Sequence, residues 1–152
     1  DVGGADDKGR LVGARCIKYY PDKDGTGGWA NNDFVVFRYG DVLMMKAEAL
    51  IRQGKDLSTA IDLVNQIRGR AFPNNQEQLF KESSFNLDSL YDERGREFGW
   101  EMHRRTDMIR FGKFEDPLLF KPSTSGEEYR RIFPIPTSAI MSNPNLDQNP
   151  EY

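Results

Sequence analysis

The chain has 152 residues, of which 38% are hydrophobic, 30% charged and 12% aromatic. That is enough to bury one ordinary core without staples, and too aromatic for wholesale disorder. A formal net charge of -3 and a pI near 5.3 deprive it of the positive field that gathers phosphates, so nucleic acid is not an expected partner.

From Leu11 to Tyr20 the text LVGARCIKYY is short and rich in β-branched and aromatic residues. It runs into PDKDGTGGWANND, where Pro, Gly, Asn and Asp accumulate. This pattern predicts an extended segment followed by a loop. FVVFRY (Phe34 to Tyr39) continues extended before GDVLMMKAEALIRQG, in which Leu43, Ala47, Leu50 and Ile51 share one helical stripe and Gly54 supplies a stop. Met44 and Met45 read as core filler in that helix. Asp56 is the expected N-cap of a second helix, whose apolar positions are Leu57, Ala60, Ile61, Val64 and Ile67. The two helices form a tight hairpin.

Asn74 to Ser84 is polar and ambiguous. Asn86 is placed to cap a third helix running from Leu87 towards His103, and Arg104 to Phe111 continue in helical register until Gly112. Beyond Lys113, Pro, Ser and Asn dominate. IFPIP (Ile132 to Pro136) is too proline-dense for a central strand and too apolar to be solvated, which predicts a packed irregular tail. The fold class is therefore mainly α, divided into an extended, loop-rich part (residues 1–37) and a helical part (residues 38–152).

Cys16 is the single cysteine and His103 the single histidine, so neither an intrachain disulfide nor a zinc ligand set is available, and no cofactor is implied. No apolar run approaches bilayer length, no Asn-x-Ser/Thr sequon occurs, and no repeat appears beyond the one hairpin. The opening DVGGADDKGR has neither a methionine nor an apolar leader, which is the look of a processed or truncated start.

The densest ionisable cluster is DERGREFGWEMHRR, from Asp92 to Arg105. At about 100° per residue, Leu87, Leu90, Tyr91, Arg94, Phe98, Glu101, Met102 and Arg105 fall on one helical face. Glu97 precedes Glu101 by four residues and Glu101 precedes Arg105 by four, spacings that bring side chains together. A glycosidase reading makes Glu97 and Glu101 the carboxylate pair, with Arg94 or His103 orienting substrate. The structural reading makes Arg94, Glu97, Glu101 and Arg105 an ion-pair network. It is favoured, because nearby arginines keep both carboxylates ionised instead of raising one pKa for acid catalysis. Gly95 and Gly99 form a GxxxG whose charged neighbours point to close helix packing, not to a membrane dimer.

In the loop, Asp22, Asp24, Thr26, Gly27 and Asp33 occupy positions one, three, five, six and twelve of a calcium-loop pattern. Aspartate replaces the bidentate glutamate and no entering helix precedes it, so a glycine-rich turn is the favoured reading over calcium at Asp22, Asp24, Thr26 and Asp33. The same loop sets Trp29 beside Asn31 and Asn32. Pyranose rings stack on such an indole while amides take their hydroxyls, making these three the candidate glycan contacts.

Four segments, in order, resemble the RagB/SusD family. FRYGDVLMMKAEALIRQG (Phe37 to Gly54) is similar to the family's "RYADVLLMYAEAL" helix, with Gly40 where alanine is usual. AIDLVNQIRGRA (Ala60 to Ala71) is similar to its "A...N.IR.RA" partner. LDSLYDERGREFGWEMHRRTDMIRFGKF (Leu87 to Phe114) resembles "DER..EF..E..RR.DLIR.GK", and FPIPTSAIMSNPNLDQNPEY (Phe133 to Tyr152) resembles "FPIP..E...NP.L.QNP.Y".

The resemblance implies a SusD-like α-α superhelix with a tetratricopeptide-like hairpin, an extended amino-terminal segment and an irregular Pro/Asn-rich tail. It also implies a non-catalytic role: a cell-surface lipoprotein of the Bacteroidetes outer membrane, holding oligosaccharide or polysaccharide for a SusC-like TonB-dependent transporter. The lipid anchor and most sugar-contacting aromatics of such proteins belong to a portion absent from this chain, and the DER...EF...E..RR block is architectural in the family. The competing expectation is an interaction module, in which the hairpin from Arg38 to Ala71 docks a peptide or the transporter and no sugar binds here. If Trp29 stacks on a sugar, Trp29→Ala weakens glycan affinity by about 1 kcal/mol or more in a calorimetric titration; unchanged affinity excludes that contact.

Overall fold

The computed structural model describes residues 18–20, 22–25, 30–118 and 121–152. The expected extended stretch from Leu11 to Ile17, together with Thr26, Gly27 and Trp29, lies outside them. The chain divides into two compact units, Asp1–Met102 and His103–Tyr152. Among the described residues the regular elements are helical, and the architecture is mainly α.

In the first unit, α1 spans Tyr39–Arg52 and α2 spans Leu57–Ala71. Gly54 stops α1 in the left-handed region at φ 63°, which glycine enters without a Cβ clash. Two residues later Asp56 caps α2: its carboxylate accepts from the Thr59 backbone N–H at 3.0 Å and from the Thr59 hydroxyl at 2.6 Å. With so short a connection the helices pack along their length as a hairpin. The expected stripes meet at that seam, where Leu43, Ala47, Ala60, Ile61, Val64 and Ile67 are buried. Met44 is fully buried, but Met45 is 42% exposed and is not core filler. One step round a helix is 100°, so two adjacent methionines cannot both face the same neighbour.

Asn65 closes the next connection with a side-chain clamp on Phe80, donating to its carbonyl at 3.0 Å and accepting from its N–H at 2.9 Å. Two short 3-10 turns, Gln76–Gln78 and Glu82–Ser84, fill the stretch that sequence pattern left ambiguous. Helix α3, Leu87–Glu97, begins at Asn86, whose side chain accepts from the Ser89 N–H at 2.9 Å while the Ser89 hydroxyl accepts from the Asn86 N–H at 2.8 Å. Its Leu90 is fully buried against the hairpin, and Phe85 and Phe98 close the same core.

Helix α3 does not run on to His103. It ends at Glu97, and residues 98–102 form a turn in which Trp100 (φ 68°) and Met102 (φ 62°) adopt left-handed backbone conformations. Gly99 therefore lies beyond the helix, and the GxxxG spacing serves no continuous helix surface. Met102, expected on the buried stripe, is 81% exposed.

The second unit holds α4, Arg104–Arg110, a 3-10 turn at Glu128–Arg131 and α5, Thr137–Ser142. Its proline-rich stretch has no sheet partner for its backbone groups. Side chains take that role: Gln148 bonds both the N–H and the carbonyl of Ile135 (2.8 and 2.9 Å), Asn149 donates to the Phe133 carbonyl (2.8 Å), and the Tyr152 hydroxyl donates to the Ile132 carbonyl (2.8 Å). The tail is irregular, as expected, yet Ile132 and Phe133 are mostly exposed, because these bonds fix the backbone without covering the side chains. In unfolding experiments, Leu90→Ala lowers stability by about 3 kcal/mol by opening a cavity, and Asn86→Ala by about 1 kcal/mol by losing the cap.

Candidate functional site

A cavity of about 510 Å³ lies in the first unit. It is lined by the ion pairs around the end of α3 and by Tyr19, Tyr20, Asn32 and Asp33 of the preceding segment. The cluster is assembled from the C-terminus of α3, the residue before α1 and the C-terminus of α2. Glu101, 4% exposed, receives Lys18 Nζ on one carboxylate oxygen at 2.5 Å and Arg38 Nε on the other at 2.8 Å. Glu97 Oε1 is shared by Arg38 and Arg70, each at 2.7 Å.

The same cations tie down the backbone of the turn. Lys18 Nζ also donates to the carbonyls of Glu97 (2.6 Å) and Gly99 (3.1 Å), and Arg38 Nη2 donates to the Glu97 carbonyl (3.0 Å). These are carbonyls that a helix end leaves without an intrahelical partner. Phe98 packs beneath, with the guanidinium carbons of Arg38 and Arg94 4.7 and 5.0 Å from its ring centre. Gly40 leaves Arg38 room to fold back, since a Cβ there would stand 2.9 Å from Arg38 Nη1.

For Glu101, burial alone works to raise the pKa. Hydrogen bonds from Arg38 and Lys18, with their charges, outweigh it and hold the carboxyl below the usual carboxylate range. Arg38 shows the converse: burial pulls its pKa down, and Glu101 and Glu97 more than restore it. An ionised carboxylate held between two cations has no proton to give, which disfavours the acid half of a glycosidase pair.

Among the four residues proposed as an ion-pair network, the structure brings Glu97 and Glu101 together through their shared partner Arg38. Arg94 is 3% exposed and pairs with buried Asp41 of α1 at 2.9 Å. Arg105, in the second unit, donates to the carbonyls of Arg130 (2.7 Å) and Arg131 (3.2 Å) and lies over the rings of Phe114 and Phe133. Arg68 and Arg96 both bind Glu93 Oε2, the latter at 2.7 Å. Sequence reading did not find Lys18, Arg38, Arg70, Arg96, Tyr19 or Tyr20. The one local signal was the tandem tyrosine ahead of the loop.

The described ends of the loop are hydrogen-bonded to each other. Asp22 accepts from the Asn31 backbone N–H, the Asn31 amide (both 2.8 Å) and the Asp24 N–H (3.0 Å), bonds that hold its carboxyl below the usual range. Of the calcium candidates, Asp22 is committed to these donors and Asp33 lines the cavity; among the described residues no three metal-ligating side chains cluster. Asn32 donates to the Tyr20 carbonyl at 2.7 Å, setting the loop against the tyrosines. Trp29, the third glycan candidate, is outside the described residues. Tyr19 stacks on Phe34 with ring centres 5.5 Å apart, while Tyr20 is 64% exposed.

Residues 7–152 match the model of the SusD family. The chain is 34% identical over 131 residues to the starch-binding protein SusD of Bacteroides thetaiotaomicron, an alignment covering 82% of this chain and 22% of that protein. It is 33% identical over 121 residues to the SusD-like protein P25 of Formosa agariphila, covering 74% and 23% respectively. The fold is similar to the crystal structure of a SusD superfamily protein from Bacteroides vulgatus, with a TM-score of 0.64 at 30% identity over 78% of this chain and 28% of that one.

The chain therefore belongs to the SusD family and has its helical fold. It spans under a quarter of the length of these two curated relatives.

Glu101→Gln removes the shared anion from two cations and lowers the unfolding free energy at neutral pH by about 3 kcal/mol. Because the folded-state pKa lies below the unfolded one, this stabilisation is present above the ordinary carboxylate range and lost as pH falls through it. Urea unfolding of the native chain steepens its decline between about pH 5 and pH 3, and the variant lacks that component.

Proposed function

We propose that the chain is part of a non-catalytic glycan-binding protein of the cell surface, capturing oligosaccharides or polysaccharide for import by a SusC-like TonB-dependent transporter of the outer membrane. On this reading a lipid anchor outside the residues in hand holds the protein to the membrane. The observation that carries it is the cavity in which an exposed aromatic ring, Tyr20, stands with Asn32 and Asp33 and with several arginines. A pyranose needs those components: a flat face to stack on and fixed donors and acceptors for its hydroxyls. Membership of a family that includes a starch-binding protein supports it. Trp29 and Asn31 of the same loop are the further glycan contacts of this proposal.

A second reading has its own support. Helix α1 also turns apolar side chains outward: Tyr39, Val42 and Met45 are 72%, 50% and 42% exposed, where a surface helix ordinarily presents polar residues. The hairpin from Arg38 to Ala71 is then a docking face for a peptide or for the transporter.

Calorimetric titration of the intact protein with a panel of neutral and acidic oligosaccharides separates the two. Glycan binding that weakens by about 1 kcal/mol in Tyr20→Ala, with no release of reducing ends, supports capture at this cavity. Absence of binding to every glycan leaves the docking reading in its place.

A further inference from the structure

Among the described residues, the charges that line the cavity are not balanced. Lys18, Arg38, Arg70 and Arg96 line it, against the carboxylates of Glu97 and Glu101. Asp33, which also lines the cavity, reduces the excess without cancelling it. The remainder is a local positive surplus on a chain of net charge -3.

The surplus sits at two side chains. Lys18 and Arg38 spend their donors on Glu101, Glu97 and the backbone carbonyls of the turn, and Arg68 on Glu93 and the Gln78 carbonyl. Arg70 and Arg96 are the more exposed, with side chains 66% and 58% accessible. Arg70 engages its partner through Nη2, and Arg96 through Nε and Nη2 on a single oxygen. Each guanidinium carries five N–H donors, so both retain donors beyond those these bonds use. Their charges cannot be lost near neutral pH. Beside them the Tyr19 hydroxyl is buried without a hydrogen-bond partner among the described residues, an uncompensated polar group in the wall of the same cavity.

We infer that the cavity is a subsite for an acidic sugar residue, whose carboxylate or sulfate group is held by Arg70 and Arg96 while its ring lies towards Tyr20. This rests on the glycan-capture reading and narrows its substrate class. Guanidinium groups bind planar carboxylates and sulfates through paired N–H···O bonds, a geometry that a neutral sugar cannot match. Asn32 and Asp33 remain to accept hydroxyl hydrogens.

The test is titration of the intact protein with three probes of similar length: an oligogalacturonate, a sulfated galactan oligosaccharide and a neutral maltooligosaccharide. The expected result is binding of one or both acidic probes at least about tenfold tighter than the neutral one, with affinity falling as salt rises. The uronate and sulfate arms identify which acid is used. In the double variant R70Q/R96Q the ratio of acidic to neutral affinity falls towards one, while R70K/R96K, which keeps the charge and loses the fork, lies between. Circular dichroism of each variant establishes that it is folded. Neutral binding as tight as acidic binding overturns the inference and leaves glycan capture standing. Acidic binding that the folded double variant retains overturns it as well. Failure of all three probes to bind removes both the inference and the reading beneath it.

Discussion

A carboxylate withdrawn from water must be met by fixed donors, and Glu101 imposes that requirement on the whole first unit. Its two oxygens are satisfied by Lys18 and Arg38, 83 and 63 residues away in the chain. Meeting them brings the segment before the loop and the residue before α1 to the end of α3. Leaving either cation out would strand a buried charge at a cost of several kcal/mol. Lys18 and the tyrosines that follow it therefore lie against the helices for an electrostatic reason as much as an apolar one, and the cavity is the space those tyrosines and the cluster leave between them.

The hairpin was legible because every signal that defines it is local. Apolar residues recur at three and four positions, Gly54 supplies a left-handed stop, and Asp56 reaches its own helix's third N–H. The end of α3 was not legible for the opposite reason. Phe98, Glu101 and Arg105 keep helical spacing, so periodicity carries the helix onward, while the donors that break it come from Lys18 and Arg38. Pattern correctly assigned Arg94 and Glu101 to the interior, yet it could not name their partners. Asp41 and Arg38 lie on or beside another helix and have no spacing relation to them. The tail was readable as irregular. That Gln148, Asn149 and Tyr152 would serve its backbone depended on a fold-back invisible to composition.

The cluster also explains why the most charged block of the sequence is a poor place for acid-base chemistry. Catalysis at a carboxylate pair needs the two environments to differ so that one group holds a proton. Here Glu97 and Glu101 share Arg38, and hydrogen bonds from Arg38 and Lys18 outweigh burial to hold the Glu101 carboxyl below the usual carboxylate range. The same surplus of arginine that makes the block unsuited to proton transfer makes its exposed side suited to holding an anion. In α1 the counterpart is hydrophobic: one face is committed to α2, and Tyr39, Val42 and Met45 remain on the other.

The turn after α3 draws on a distant part of the chain. Left-handed backbone at Trp100 and Met102 is costly for residues with a Cβ, and the local return is the Glu101 N–H donating to the Phe98 carbonyl at 3.0 Å. Further compensation comes from Lys18, which must close a loop of some eighty residues before it can donate to the Glu97 and Gly99 carbonyls. The break thus depends on contacts between residues far apart in the chain, whereas the hairpin is encoded locally.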